Sequence, residues 1–141
     1  MVDAELRSRV AKHNPAELVG LSCIADGPDA LFAQAVLDHG GELEVFVPAD
    51  EYRAGLPAEH HSTYDRLLAA ASTVHRLPYR ESTSESHMAA SELMLDGADE
   101  LYAVWDGLPA RGYGGTADVV TAAHRLGLPV AIIWPNGATR D

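Results

Sequence analysis

A doubly wound three-layer α/β sandwich on a mostly parallel sheet of about five strands is predicted by three observations. Short apolar runs alternate with segments of helical period along the chain. The apolar runs are β-branched or aromatic-rich without strict polar alternation, as strands covered on both faces are. The helical segments open on Ser, Thr, Asp or Pro, and three of them close near Gly40, Gly97 and Gly127. Strand and helix alternating in this way, with right-handed crossovers, build that sandwich.

The first element is a helix, Asp3 to His13, with no strand ahead of it. Folds of this class normally open on a strand whose following turn faces the ligand, so either the sheet lacks its usual first strand or the reading frame starts late. The first strand is Leu18 to Ile24 (LVGLSCI), and Pro28 sits where a first-turn helical proline belongs, opening a helix to His39. Leu43 to Val47 is the second strand. Gly55 to His61 reads as a loose surface loop and is followed by a helix from Ser62 to Ala71. Val74 to Leu77 is the third strand, and Ser84 or Ser86 caps the next helix, Ser84 to Leu95. Leu101 to Trp105, a helix from Thr116 to Leu126, and Val130 to Trp134 complete the series.

The chain has 141 residues, 47% of them apolar, which suits a single domain spanning 1–141 with one core. No uncharged apolar run approaches a membrane span, and the start, MVDAELRSRVAKH, is charged where a signal peptide needs an apolar stretch. A membrane partner is therefore not expected. Cys23 is the only cysteine, which removes any disulfide framework or cysteine metal cage and fits a reducing cytoplasm. The net charge of −11 repels phosphate backbones and the ten basic residues are scattered, which argues against nucleic acid. No cofactor is expected, and no metal: His60 and His61 are adjacent, with no carboxylate–histidine pattern after them, and read as solvated loop.

Chemistry in an open α/β sheet lies beyond the carboxyl ends of the strands, where four turns qualify. In the first, Ser22 to Asp29 (SCIADGPD), Gly27 permits a tight turn and the free N–H groups of the next helix suit an anion. The plainer reading is a turn in which Asp29 complements the helix dipole. Cys23 is either an activated thiolate at a helix start or, as the better reading, a small buried apolar residue. In the second turn, Pro48 to Arg53 (PADEYR), Asp50 and Glu51 would hold ribose hydroxyls and Arg53 a phosphate, or the run is a solvated helix start. The third, Arg80 to His87 (RESTSESH), carries more hydrogen-bonding groups than capping needs. The fourth is the strongest. Asp106 and Gly107 end a strand, and Gly112, Gly114 and Gly115 precede Thr116 at a helix start, where backbone N–H groups can approach a phosphate closely and Thr116 would cap. It is neither a phosphate loop of the kinase and ATPase kind nor a GxGxxG fingerprint.

Ser22-x-x-Ala25-x-Gly27-x-Asp29, followed by Ala33, Ala35, Leu37, Gly40-Gly41 and a strand to Pro48, resembles the first ligand-facing stretch of the LOG and DNA-processing-protein-A superfamily (SLOG) of Rossmann-like domains. Met94, Ala98-Asp99, the strand to Gly107 and Gly114-Gly115-Thr116 resemble that superfamily's "M…(A/S)D…GGxGT" region. The resemblance spans residues 18–135, is closest to small actinobacterial members, and implies a nucleotide or nucleotide-derived ligand and a homodimer. The phosphoribohydrolases of the group place an Arg nine residues before that aspartate and a Glu three after that threonine, where this chain has Ala90 and Val119.

The sequence thus favours a protein that binds a nucleotide-like metabolite. Phosphate would rest on Gly114, Gly115 and Thr116, with Ser22, Gly27 and Asp29 on the facing turn and Asp106 with Gly107 near the sugar or base. An alternative is an N-glycosidase, phosphoribohydrolase or deoxyribosyltransferase-like enzyme that recruits Asp118 or Glu92 as its carboxylate. Another is a non-catalytic sensor or interaction module.

Overall fold

The computed structural model describes residues 2–104 and 115–134. Its elements run α1 (Val2–Val10), β1 (Val19–Ser22), α2 (Pro28–Asp38), β2 (Glu42–Val47), α3 (His61–Ala70), β3 (Thr73–Arg76), α4 (Ser84–Asp96), β4 (Leu101–Val104), α5 (Thr116–Arg125) and β5 (Val130–Ile133). Two single 3-10 turns, Arg53–Gly55 and Ala58–His60, stand between β2 and α3. No helix among the described residues is long and apolar enough to cross a membrane.

The chain is mixed α/β, and the strand pairs among the described residues are all parallel. β2 lies between β1 and β3, with Gly20 opposite Leu43 and Val45 opposite Val74. β4 pairs with β5, from Leu101 opposite Val130 to Val104 opposite Ile133. Instead of the single sheet of about five strands expected, the described strands form a three-stranded sheet and a two-stranded one. The reason lies in the path of the chain. After β3, α4 packs back over β2 and delivers β4 to a cavity that β1 also lines, and no ladder joins β1 to β4.

Alternation along the strands assigns the faces. A Cβ on Gly20 would stand 2.7 Å from Val36 Cγ2 and 3.2 Å from the Phe32 ring, so this side of β1 lies against α2, and glycine is what permits the close approach. Its register partner Leu43, followed by Val45 and Val47, faces the same way and is buried. Leu21, Glu44 and Phe46 face the other side, and Phe46 shares a core cluster with Ala90 of α4. The outer strands depart from the expectation of burial on both faces. Val74 of β3 is 36% exposed and Ile132 of β5 is 48% exposed, and each strand has one neighbouring strand among the described residues.

α1 lies beside α2. Arg7 reaches Asp38 at 2.9 Å, and Val10 packs with Ala35 and Val36 against Leu18, Phe32 and Tyr102. The cap of α4 is Thr83, not Ser84 or Ser86. Its hydroxyl accepts from the Ser86 N–H at 3.2 Å, while Ser86 Oγ accepts from the Thr83 N–H at 2.9 Å, a reciprocal capping box. Thr83→Ala is predicted to cost about 1 kcal/mol of stability, read as a lower urea midpoint at unchanged slope.

Candidate functional site

The turn after β1 is held by side chains that the sequence marks only in part. Ser22 is buried, and its hydroxyl accepts from the Ile24 N–H at 2.9 Å and donates to the Asp29 carbonyl at 3.3 Å. That hydroxyl is spent on closing the turn. Ile24 is fully buried with φ +48°, a conformation costly for a β-branched residue, and Gly27 has φ +93° just before α2. His60 sustains the strained residue. It is only 5% exposed, its Nε2–H donates to the Ile24 carbonyl at 3.0 Å, and its Nδ1 lies 3.4 Å from an Asp26 carboxylate oxygen. The stretch read as a loose, solvated loop therefore contains a structural histidine, buried because the 3-10 turn at Ala58–His60 aims it inward. His61 begins α3 and reaches the Leu56 carbonyl at 3.1 Å.

Asp29 stands in the first turn of α2 and accepts a hydrogen bond from the Ala25 N–H. It is exposed on the cavity wall, and desolvation by the protein atoms around it raises its carboxyl above the ordinary range despite that hydrogen bond. Cys23 beside it is buried, and burial, with the Asp29 charge adding, pushes its thiol up. The structure thus supports the apolar reading of Cys23 over the thiolate one.

A cavity of about 1150 Å³ collects residues from distant parts of the chain. Ser22, Pro28 and Asp29 line it from the β1 turn, and Gly115, Thr116 and Val119 line it from the start of α5. Gly115 precedes the helix with φ −74° and ψ 178°, and Thr116 is the first helical residue, so the hydroxyl of Thr116 does not cap as expected. Phe32 and Tyr102 meet edge to face at 6.0 Å in its wall. Burial and Glu100 push the Tyr102 hydroxyl up to about 12, and it contacts His13 Nε2 at 2.6 Å. Gly27 shapes the turn without lining the cavity. Asp106, Gly107 and Gly114 lie outside the described residues.

Glu92 and Asp118, the carboxylates considered for catalysis, are not brought to this cavity. They line a separate groove of about 390 Å³ between α4 and α5, together with Arg125. Helical geometry explains the separation. Thr116 and Val119 face the cavity, and Asp118, two residues past Thr116, is turned about 200° around the helix.

The two other turns lie off the cavity. Arg53 is engaged by Asp65 through two 2.8 Å hydrogen bonds, so it holds a neighbouring helix in place of a phosphate. The backbone N–H groups of Asp50 and Glu51 donate to the carbonyls of Tyr79 and Arg80, tying the second turn to the third. In the third turn Ser82 Oγ meets His87 Nε2 at 2.7 Å, Tyr52 presents its ring edge to His87 at 5.5 Å, and burial lowers the His87 pKa. Among the described residues, no group of three or more His, Cys, Asp or Glu is placed to hold a metal ion.

The arrangement offers one exposed carboxylate in the same cavity wall as a helix start whose first backbone N–H groups have no side-chain cap. Such a pair suits a ligand with hydroxyl donors at one end and an anion at the other. No protein-family model matches the chain, and no curated protein matches it.

Proposed function

We propose that the two parallel sheets are halves of one Rossmann-like sheet of the SLOG kind, and that the protein binds a nucleotide or nucleotide-derived metabolite in the shared cavity. The observation that carries this reading is the convergence of Asp29 with Gly115 and Thr116 on one cavity, from turns that follow different strands. The phosphate rests on the start of α5, where N–H groups and the helix dipole favour negative charge. Asp29 accepts from sugar hydroxyls, and Ser22 and Gly27 keep it in place by closing its turn. Binding is the reading supported over base release, because Glu92 and Asp118 open onto a different groove.

Thermal unfolding of the purified chain against mono-, di- and cyclic nucleotides, nucleosides and ribose 5-phosphate tests this reading. A ligand present at 100 times its dissociation constant adds about 2.7 kcal/mol to the native state. One responsive class of phosphorylated ligands is the expected outcome, and a flat panel from a cooperatively folding chain overturns it. Gly115→Val is expected to remove that response while leaving the melting temperature of the unliganded chain in place. Residue 115 has an extended backbone that valine adopts without strain, and it lines the cavity where the anion would rest.

A further inference from the structure

The turn after β3 carries more hydroxyl groups than its helix start uses. The reciprocal box between Thr83 and Ser86 closes the start of α4, and the His87 N–H donates to the Thr83 carbonyl at 3.0 Å. The contact of Ser82 Oγ with His87 Nε2 at 2.7 Å is therefore surplus to capping. It arises from local geometry. Ser82 stands just before the extended cap residue Thr83, and His87 lies one helical turn beyond it, where a side chain leans back toward the helix start.

The imidazole is also held from a second side. Tyr52, itself buried, meets it edge to face at 5.5 Å and 88°. Burial lowers the His87 pKa with no charged neighbour contributing, so the ring is neutral at pH 7. In the tautomer that accepts the Ser82 O–H on Nε2, the ring's own proton sits on Nδ1, which has no protein partner among the described residues. Both side chains are half-buried, so a small molecule can reach the hydroxyl from solvent.

We propose that Ser82 and His87 form a nucleophile and base that hydrolyse small neutral esters. The proposal is independent of nucleotide binding, since neither residue lines the cavity that holds Asp29 and Thr116. Ser82 Oγ attacks the acyl carbon while its proton passes to His87 Nε2. The bond from that carbon to the leaving oxygen then breaks, and the same proton goes to the departing alcohol. Water, giving a proton to Nε2, attacks the acyl-serine, and the proton returns to Ser82 Oγ as the carboxylic acid leaves. The tetrahedral oxyanion forms at the start of α4, where the N–H groups of Ser84 and Glu85 have no intrahelical acceptor and the helix dipole favours negative charge. Charge sets the substrate class. Glu81 and Glu85 are exposed on this turn, and the exposed Arg80 is drawn to Glu51 at 3.4 Å, so the surroundings repel anionic phosphoesters and admit a neutral acyl group. Tyr79, 41% exposed on the same turn, offers its ring to an aromatic leaving group.

Reaction of the purified chain with p-nitrophenyl acetate, followed by peptide mass spectrometry, tests the proposal. Acetyl is expected on Ser82 about 100-fold faster than on Ser84, exposed on the same turn, and it is expected to be lost again to water. Ser82→Ala should remove that adduct without touching the cap of α4. His87→Gln should slow Ser82 acetylation about 100-fold at an unchanged melting temperature. Should that variant fail to fold, the pH profile of the unaltered chain decides. Acetylation should rise as His87 loses its proton, reach half its maximum below the ordinary imidazole value, and then level off. Equal acetylation of Ser82 and Ser84, an absent or permanent adduct, an unchanged rate in folded His87→Gln, or a rate that climbs steadily into alkaline pH would each overturn the proposal.

Discussion

Replacing His60 with Ala is expected to lower stability by about 3 kcal/mol and to weaken ligand binding at the same time. The first effect combines two costs. The substitution leaves the Ile24 carbonyl buried without its donor, which costs about 1–3 kcal/mol, and it empties a site that is 5% exposed in the native chain. The second follows from position. Ile24 sits at φ +48° between Ser22 and Asp29, and the His60 bond is what holds it there. Without that bond the turn relaxes and Asp29 shifts from its place in the cavity wall. Leu43→Ala is the control. Leu43 is fully buried in β2 and does not line the cavity, so its truncation costs about 2–5 kcal/mol and leaves affinity unchanged below the melting transition. Urea unfolding together with titration calorimetry separates the two. Equal losses of affinity in both variants would show that His60 acts on the fold alone.

This contrast also marks what was legible in the sequence. The α/β alternation could be read because apolar runs bounded by turn residues are a local signal, and Pro28 opens α2 where its backbone preference places it. The break between the two sheets could not be read, because pairing between strands far apart in the chain leaves no local signal. The role of His60 could not be read, because its partner Ile24 lies 36 residues away and a histidine in a polar run has no periodicity to betray burial. The cap of α4 was missed by one residue for a related reason. Thr83, Ser84 and Ser86 are all competent caps, and only the backbone, extended at Thr83, selects among them. Asp118 is the carboxylate nearest to Thr116 in the sequence, yet it lines a different groove, since two steps along a helix reverse the facing of a side chain.

Asp29→Asn is expected to stabilise the unliganded chain at neutral pH while weakening ligand binding about 10–100-fold. Desolvation at the cavity wall raises the folded-state pKa of Asp29 above its unfolded value. Below the ordinary carboxylate range the group is protonated in both states and costs nothing. As pH rises, the unfolded chain ionises first and is favoured, and the penalty grows until the pH passes the raised folded value, after which it is constant. The wild-type chain should therefore lose stability over that window, and the asparagine variant, with no charge to desolvate, should not. Binding moves the opposite way, because a carboxylate accepting from sugar hydroxyls contributes about 1.5–3 kcal/mol that a neutral amide does not recover. Melting curves from pH 4 to 8, with and without the responsive nucleotide, would show the two variants' curves crossing on ligand addition. A residue whose only duty was to the fold would move both measurements in the same direction. A carboxylate on the cavity wall whose raised pKa costs the empty protein stability is what a residue placed for a ligand would show.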